Sequence, residues 1–197
     1  MKKAGFLFFA VIFFSSSRIA AQGFHLGIKA GTNIAQINGR SFDGGFKWGF
    51  SAGAFAEINI TSKWGIQPEL LFNQTNTQTA SNFNQIYPQA QAINYQNVRL
   101  NYMSIPVLLS LKPIPVLSFQ AGPQFGVLLN SSNTILGNGA NAFKSGDFSL
   151  VFGAQLNLLK IKIGARYISG LTNLDNVGDK DTWRNQSFQF YVGLRIL

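Results

Sequence analysis

Hydrophobic and polar residues alternate along most of the chain. The last twelve residues, QSFQFYVGLRIL, show this pattern clearly. The apolar set is Phe188, Phe190, Val192, Leu194 and Ile196, and the intervening positions are mostly polar or small. A period of two residues predicts a β-strand with one apolar and one polar face. The direction of the apolar face decides the class of protein, because a soluble domain turns it inward and an outer-membrane barrel turns it toward lipid.

The same period recurs in seven earlier stretches, and no stretch shows a convincing helical period. The chain therefore predicts an all-β fold of eight strands. Each strand has roughly the ~9–11 residues that a tilted strand needs to cross a bilayer. Without helical crossovers, neighbouring strands are expected to pair antiparallel in sequence order. The predicted strands are residues 24–33, 46–59, 64–73, 101–111, 117–129, 147–156, 161–168 and 187–196.

The segments between these strands are predicted to alternate between long and short. This alternation is typical of outer-membrane barrels, which have short periplasmic turns and longer extracellular loops. We therefore predict an eight-stranded, antiparallel, up-and-down transmembrane β-barrel, whose last strand pairs with the first. The short connections are near 60–63, 111–115 and 158–160, and the long ones are near 36–45, 73–97, 130–146 and 172–186.

The polar faces of the predicted strands carry most of their glycines and ionisable residues. Glycine weakens a strand, but in a narrow barrel it makes room for long neighbours inside. This favours a lumen lined by the polar faces and filled by side chains. Buried charges must be paired, so we expect Glu57 and Glu69 to pair with lumen cations, principally Arg166 and Arg195. The predicted charge network comprises Lys29, Glu57, Glu69, Arg166 and Arg195.

The second connection sets the register of the two predicted glutamates. A turn centred on Thr61 would place Glu57 opposite Gly65. The same register would place Glu69 opposite Gly53. Each carboxylate would then have a gap beside it, into which it could lean.

Composition narrows the possible functions. Charged residues are 12% of the chain, about half the usual ~25%. The net charge is +9 and the isoelectric point is about 10.1, which raises the possibility of nucleic-acid binding. The basic residues are scattered singly, however, so we expect no nucleic-acid partner. The chain has no cysteine, which excludes disulfides and thiolate chemistry.

The N-terminus has the features of a secretory signal peptide. Two lysines precede an apolar run over residues 4–14, which is shorter than the ~20 residues of a spanning helix. Small residues follow, and we expect cleavage after Ala21. The predicted organisation is a signal peptide at 1–21 and a barrel at 22–197, in a protein exported from the cytoplasm. A buried N-terminal helix is the alternative.

Catalytic patterns are weak. The single histidine, His25, lacks an adjacent serine and acid in a known arrangement. Glu57 and Glu69 could act as a glycosidase pair, but a salt-bridge role in a packed lumen is favoured. The acids near 175–181 lack the spacing of a calcium loop, so we predict no metal, no cofactor and no enzyme activity. In the polar loops, Tyr87, Tyr95 and Trp183 are candidate contacts for a ligand or partner.

Several stretches resemble the PorT-like outer-membrane β-barrel proteins of Bacteroidota-type bacteria. They include FHLGIKAGTNIA, WGIQPELLF, LNYMSIPVLLSL, FQAGPQFGVLL, FSLVFGAQL and ARYISGLTNL, in order along the mature chain. The resemblance implies an integral outer-membrane barrel of a Gram-negative bacterium. It also implies similarity to a component of protein secretion across the outer membrane, the type IX system. Ser104 departs from the family, which often has an acidic residue there.

The sequence therefore predicts a non-enzymatic outer-membrane barrel with a structural or partner-binding role, which could be accessory to secretion. Its expected partners are outer-membrane lipid, lipopolysaccharide and other envelope proteins. The assembly machinery is expected to recognise the C-terminal strand, although Ile196 and Leu197 stand where such strands usually end on an outward aromatic. Two alternatives remain: a soluble, lipocalin-like periplasmic barrel that binds a small apolar ligand, and a membrane-embedded hydrolase that uses His25.

Overall fold

The computed structural model describes residues 23–38, 45–78, 97–132, 146–173 and 184–197. These residues form eight strands that close into one antiparallel barrel in sequence order. The last strand pairs with the first, for example Val192 with Ala30, so the sheet has no free edge. The predicted closed barrel of eight antiparallel strands is thereby confirmed. The strands are β1 (Phe24–Asn38), β2 (Lys47–Asn59), β3 (Trp64–Gln78), β4 (Asn97–Ile114), β5 (Leu117–Ser132), β6 (Gly146–Leu158), β7 (Ile161–Gly170) and β8 (Arg184–Arg195).

The apolar face of the sheet points outward. In β8, Phe190 and Val192 are 49% and 56% exposed, whereas the intervening Gln189 and Tyr191 are 0% and 4% exposed. The other strands alternate in the same sense, with large apolar side chains outside. A soluble barrel would bury this face, so the lipocalin-like alternative does not fit the structure. The outer surface is suited to lipid, where a closed barrel satisfies every backbone hydrogen bond internally.

The interior is mainly polar, as predicted. Buried amides, hydroxyls and charges line most of the lumen. Leu108, Val151 and Ile168 form a small apolar cluster among them. The barrel is therefore held together by its strand ladders and by hydrogen bonds across the lumen, rather than by an apolar core.

The register between β2 and β3 differs from the prediction by two residues. Glu69 lies opposite Phe55, and Gly65 lies opposite Asn59. The cause is the turn at 60–63, where the Thr61 hydroxyl accepts hydrogen bonds from the backbone N–H groups of Lys63 (3.2 Å) and Trp64 (2.9 Å). This local capping centres the turn one residue later than Thr61. The predicted gaps opposite the glutamates are therefore wrong.

Three connections at one end of the barrel are short: 60–63, 115–116 and 159–160. We call this the short-turn end. The last of these turns places Leu159 in the left-handed region, with φ of 57°. The starts of β1, β3, β5 and β7 and the ends of β2, β4, β6 and β8 surround the same mouth.

Candidate functional site

The centre of the lumen is organised around Glu69 of β3. Its carboxylate accepts two hydrogen bonds from Arg166 of β7, from Nη1 to Oε2 and from Nη2 to Oε1, both at 2.7 Å. Lys29 Nζ of β1 lies 2.7 Å from Oε2. All three side chains are almost fully buried. Bidentate, charge-assisted pairs of this kind are strong and fix both partners in one geometry.

Neutral side chains extend this cluster to the remaining lumen walls. Gln67 donates to Glu69 Oε1 at 2.6 Å, and Gln120 donates to Gln67 Oε1 at 2.8 Å. The oxygen of Gln120 accepts from Arg166 Nη2 at 2.7 Å. The Tyr191 hydroxyl lies 3.2 Å from that oxygen and 3.0 Å from Gln155 Oε1. Side chains from β1, β3, β5, β6, β7 and β8 therefore meet in one network across the barrel, which we call the lumen network.

Aromatic rings occupy the space that glycines leave inside the barrel. Tyr191 lies across from Gly164, and a Cβ at Gly164 would stand 2.3 Å from the ring. The ring is also a platform for cations, because Lys29 Nζ is 3.9 Å and Arg166 Cζ is 4.6 Å from its centroid. The glycine thus positions the tyrosine that supports the lumen network.

A second group of charges lies at the short-turn end. Lys162 Nζ is 2.9 Å from Glu57 Oε1 and 2.9 Å from Asn157 Oδ1. Beside this pair is a cavity of about 270 Å³, which Lys112 and Arg195 also line. We call it the mouth cavity. Lys112 Nζ bonds the side-chain oxygen of Asn59 at 2.6 Å.

A protein-family comparison agrees with this architecture. The sequence model described as "Outer membrane protein beta-barrel domain" matches residues 14–176, which is most of the chain. The chain belongs to this family. No curated protein matches it. This family is the broad class of outer-membrane β-barrel domains. It is less specific than the PorT-like family that the sequence resembles.

Solved structures of two other proteins have a similar fold. Neisserial surface protein A superposes with a TM-score of 0.53 at 15% identity, over 88% of this chain and 97% of that one. Ail, the attachment invasion locus protein of Yersinia pestis, superposes with a TM-score of 0.50 at 12% identity, over 89% of this chain and all of Ail. At such identities the likeness concerns the fold alone.

In this outer-membrane barrel, the five residues of the predicted charge network lie in two separate places. Lys29, Glu69 and Arg166 form the centre of the lumen network, and Glu57 lies at the mouth cavity. Arg195 also lines the mouth cavity, but Lys162 rather than Arg195 is the salt-bridge partner of Glu57. The stagger of the strands brings the Lys162 ammonium to Glu57, and this stagger was not visible in the sequence.

Sequence reasoning missed four side chains of the lumen network: Gln67, Gln120, Gln155 and Tyr191. All four stand in the polar phase of their strands, which was the available signal. Tyr191 was the most informative, because a large ring on the lumen face requires a glycine nearby. The candidate loop contacts Tyr87, Tyr95 and Trp183 lie outside the described residues.

The described residues offer limited chemistry. Among them, no group of three or more His, Asp or Glu side chains could hold a metal ion. Nor does this part of the chain contain a helix that is long and apolar enough to cross a membrane. His25 lines the mouth cavity together with Glu57. Both carboxylate oxygens of Glu69 accept hydrogen bonds from cations. The lumen network is therefore suited to linking the strands to one another.

Proposed function

We propose that this outer-membrane barrel is a closed, non-enzymatic structural or partner-binding component of the cell envelope. One observation carries the proposal: the lumen network joins six strands at the centre of the barrel while the apolar side chains face outward. A carboxylate held by two cations is a poor catalytic base, because its lone pairs are occupied. Side chains that meet across the lumen also oppose the passage of solutes.

The short-turn end is inferred to be periplasmic. Short connections are typical of the periplasmic side of outer-membrane barrels, and the described turns at 60–63, 115–116 and 159–160 are of this kind. In this orientation the proposed contacts with lipopolysaccharide and with other envelope proteins lie at the opposite end. The assembly machinery would act on β8, whose outward side chains continue the apolar band.

The lipid-facing surface can be tested by fluorescence. Trp48 and Trp64 are 67% and 44% exposed on the outer face. In Trp183→Phe protein folded into vesicles, we expect lipids brominated on their acyl chains to quench the emission of both residues. Vesicles of matched unbrominated lipid and heat-unfolded protein are the controls. Equal emission in the two kinds of vesicle would contradict insertion into the bilayer.

A narrower role in secretion is supported by the PorT-like stretches alone. If the barrel is accessory to a type IX-like system, deletion of its gene is expected to reduce the abundance of exported proteins outside the cell. Complementation by the intact chain should restore them, and quantitative proteomics of the culture fluid is the measurement. An unchanged set of exported proteins would remove this role and leave the structural proposal intact.

A further inference from the structure

The mouth cavity carries more positive than negative charge. Its titratable lining residues come from five strands: His25, Glu57, Lys112, Lys162 and Arg195. With His25 neutral, these residues leave an excess of two positive charges. Lys162 and Arg195 repel Lys112, whereas Glu57 attracts it, so the groups are close enough to act on one another.

The single carboxylate of this group is already engaged. Lys162 approaches both Glu57 oxygens, at 2.9 Å and 3.2 Å, and is itself buried. Lys112 is held by a neutral amide rather than by an acid. The structure gives the Arg195 guanidinium no hydrogen bond to another described side chain. Two cations around the cavity therefore lack a neutralising partner within the described part of the barrel.

We propose that the mouth cavity is a binding site for a phosphate group. A phosphate carries a charge of about −1.5 to −2 at pH 7, which matches the excess at the cavity better than a carboxylate does. Arginine presents a planar fork of donors that fits phosphate oxygens, and lysine adds a point charge beside it. The cavity, at about 270 Å³, has room for the phosphate and a small organic substituent. Val116 and Leu159 provide an apolar side for that substituent. This assignment goes beyond the structural role proposed above.

The test is a titration of the folded barrel with inorganic phosphate. The protein is folded in a phosphate-free alkyl-glycoside detergent, and the backbone amide shifts of residues around the mouth cavity are followed by NMR. We expect saturable shifts confined to the short-turn end, with no such response to chloride at equal ionic strength. Arg195→Gln and Lys112→Gln should each weaken binding by at least about tenfold, since each removes a charge-assisted contact.

Lys63→Gln is the matched control, because Lys63 is an exposed cation in a turn at the same end that does not line the cavity. Its affinity for phosphate should be unchanged. Heat-modifiable migration on a gel checks that each variant is folded. Shifts that fail to saturate, that appear equally with chloride, or that weaken equally in Lys63→Gln would overturn the proposal.

The source of the phosphate is distinguished by lipid composition. If a lipid headgroup supplies it, nanodiscs that contain phosphatidic acid, whose headgroup is a phosphomonoester, should reproduce the shifts without added phosphate. The Arg195→Gln variant should abolish them. If a soluble phosphate compound is the ligand, phosphatidic acid should produce no shifts and the titration should proceed as in detergent. Either result supports the proposed phosphate site, because both require a phosphate group at Arg195.

Discussion

Replacing Glu69 by Gln is expected to destabilise the barrel by about 3–5 kcal/mol, the typical cost of leaving buried charges without their counterion. Glu69 is the carboxylate shared by Arg166 and Lys29 at 2.7 Å. Without its charge, two buried cations would face each other in a lumen that cannot hydrate them freely. The measurement is urea-induced unfolding of the vesicle-folded protein, followed by the mobility shift on a gel.

Two variants separate loss of charge balance from simple disturbance of the lumen. Lys29→Met leaves Glu69 paired one-to-one with Arg166, so its loss of stability should be much smaller. Glu57→Gln makes the same chemical change beside the mouth cavity, where only Lys162 loses its counterion and keeps a hydrogen bond to Asn157. The loss of stability in Glu57→Gln should also be smaller than that in Glu69→Gln. Equal unfolding midpoints for all three variants and the wild type would show that the lumen network contributes little to stability.

Most of the strand arrangement could be predicted from the sequence, because lipid on one side and a polar lumen on the other force an alternating pattern. In β8 the pattern was sufficient to assign every side chain from Phe188 to Leu194 to the correct face. The pattern fails at the strand ends farthest from the short turns. β3 continues to Gln78 through NQTNTQ, where both faces are polar and the period of two carries no hydrophobic signal.

The pairing of the lumen charges could be predicted only in part. The alternating pattern assigned Glu69 and Arg166 to the polar faces, which were predicted to line the lumen. A pairing was expected because a buried carboxylate requires a cation. Which cation reaches which carboxylate depends on strand tilt and stagger, which are properties of the closed barrel and not of any one strand. The same geometry accounts for the Lys162 partner of Glu57. The Thr61 turn shifted the register by a local hydrogen bond that the strand pattern does not contain.

Adding one methyl group at Gly164 is expected to disturb the lumen network more than any conservative change on the barrel surface. The Cβ of an alanine there would lie 2.3 Å from Tyr191 Cζ and 2.4 Å from its hydroxyl oxygen. The ring cannot swing away freely, because its hydroxyl bonds Gln120 and Gln155 and its face supports two cations. We therefore expect Gly164→Ala to cost about 1–3 kcal/mol, the usual range for overpacking.

Gly126→Ala is the matched control for this prediction. Gly126 also lies on the lumen face of a strand, but a Cβ there would be 3.6 Å from its nearest neighbours, which is ordinary contact. The control should leave stability within about 0.5 kcal/mol of the wild type or raise it, since alanine restricts the unfolded chain.

In a Tyr191→Leu background, the loss of stability caused by Gly164→Ala should be smaller, because the ring that opposes the methyl group is absent. If both alanine variants unfold at the same urea concentration, the fit of Tyr191 against Gly164 does not constrain the lumen network. If Gly164→Ala alone is destabilised and Tyr191→Leu relieves it, the glycine acts by positioning the ring that supports Lys29 and Arg166.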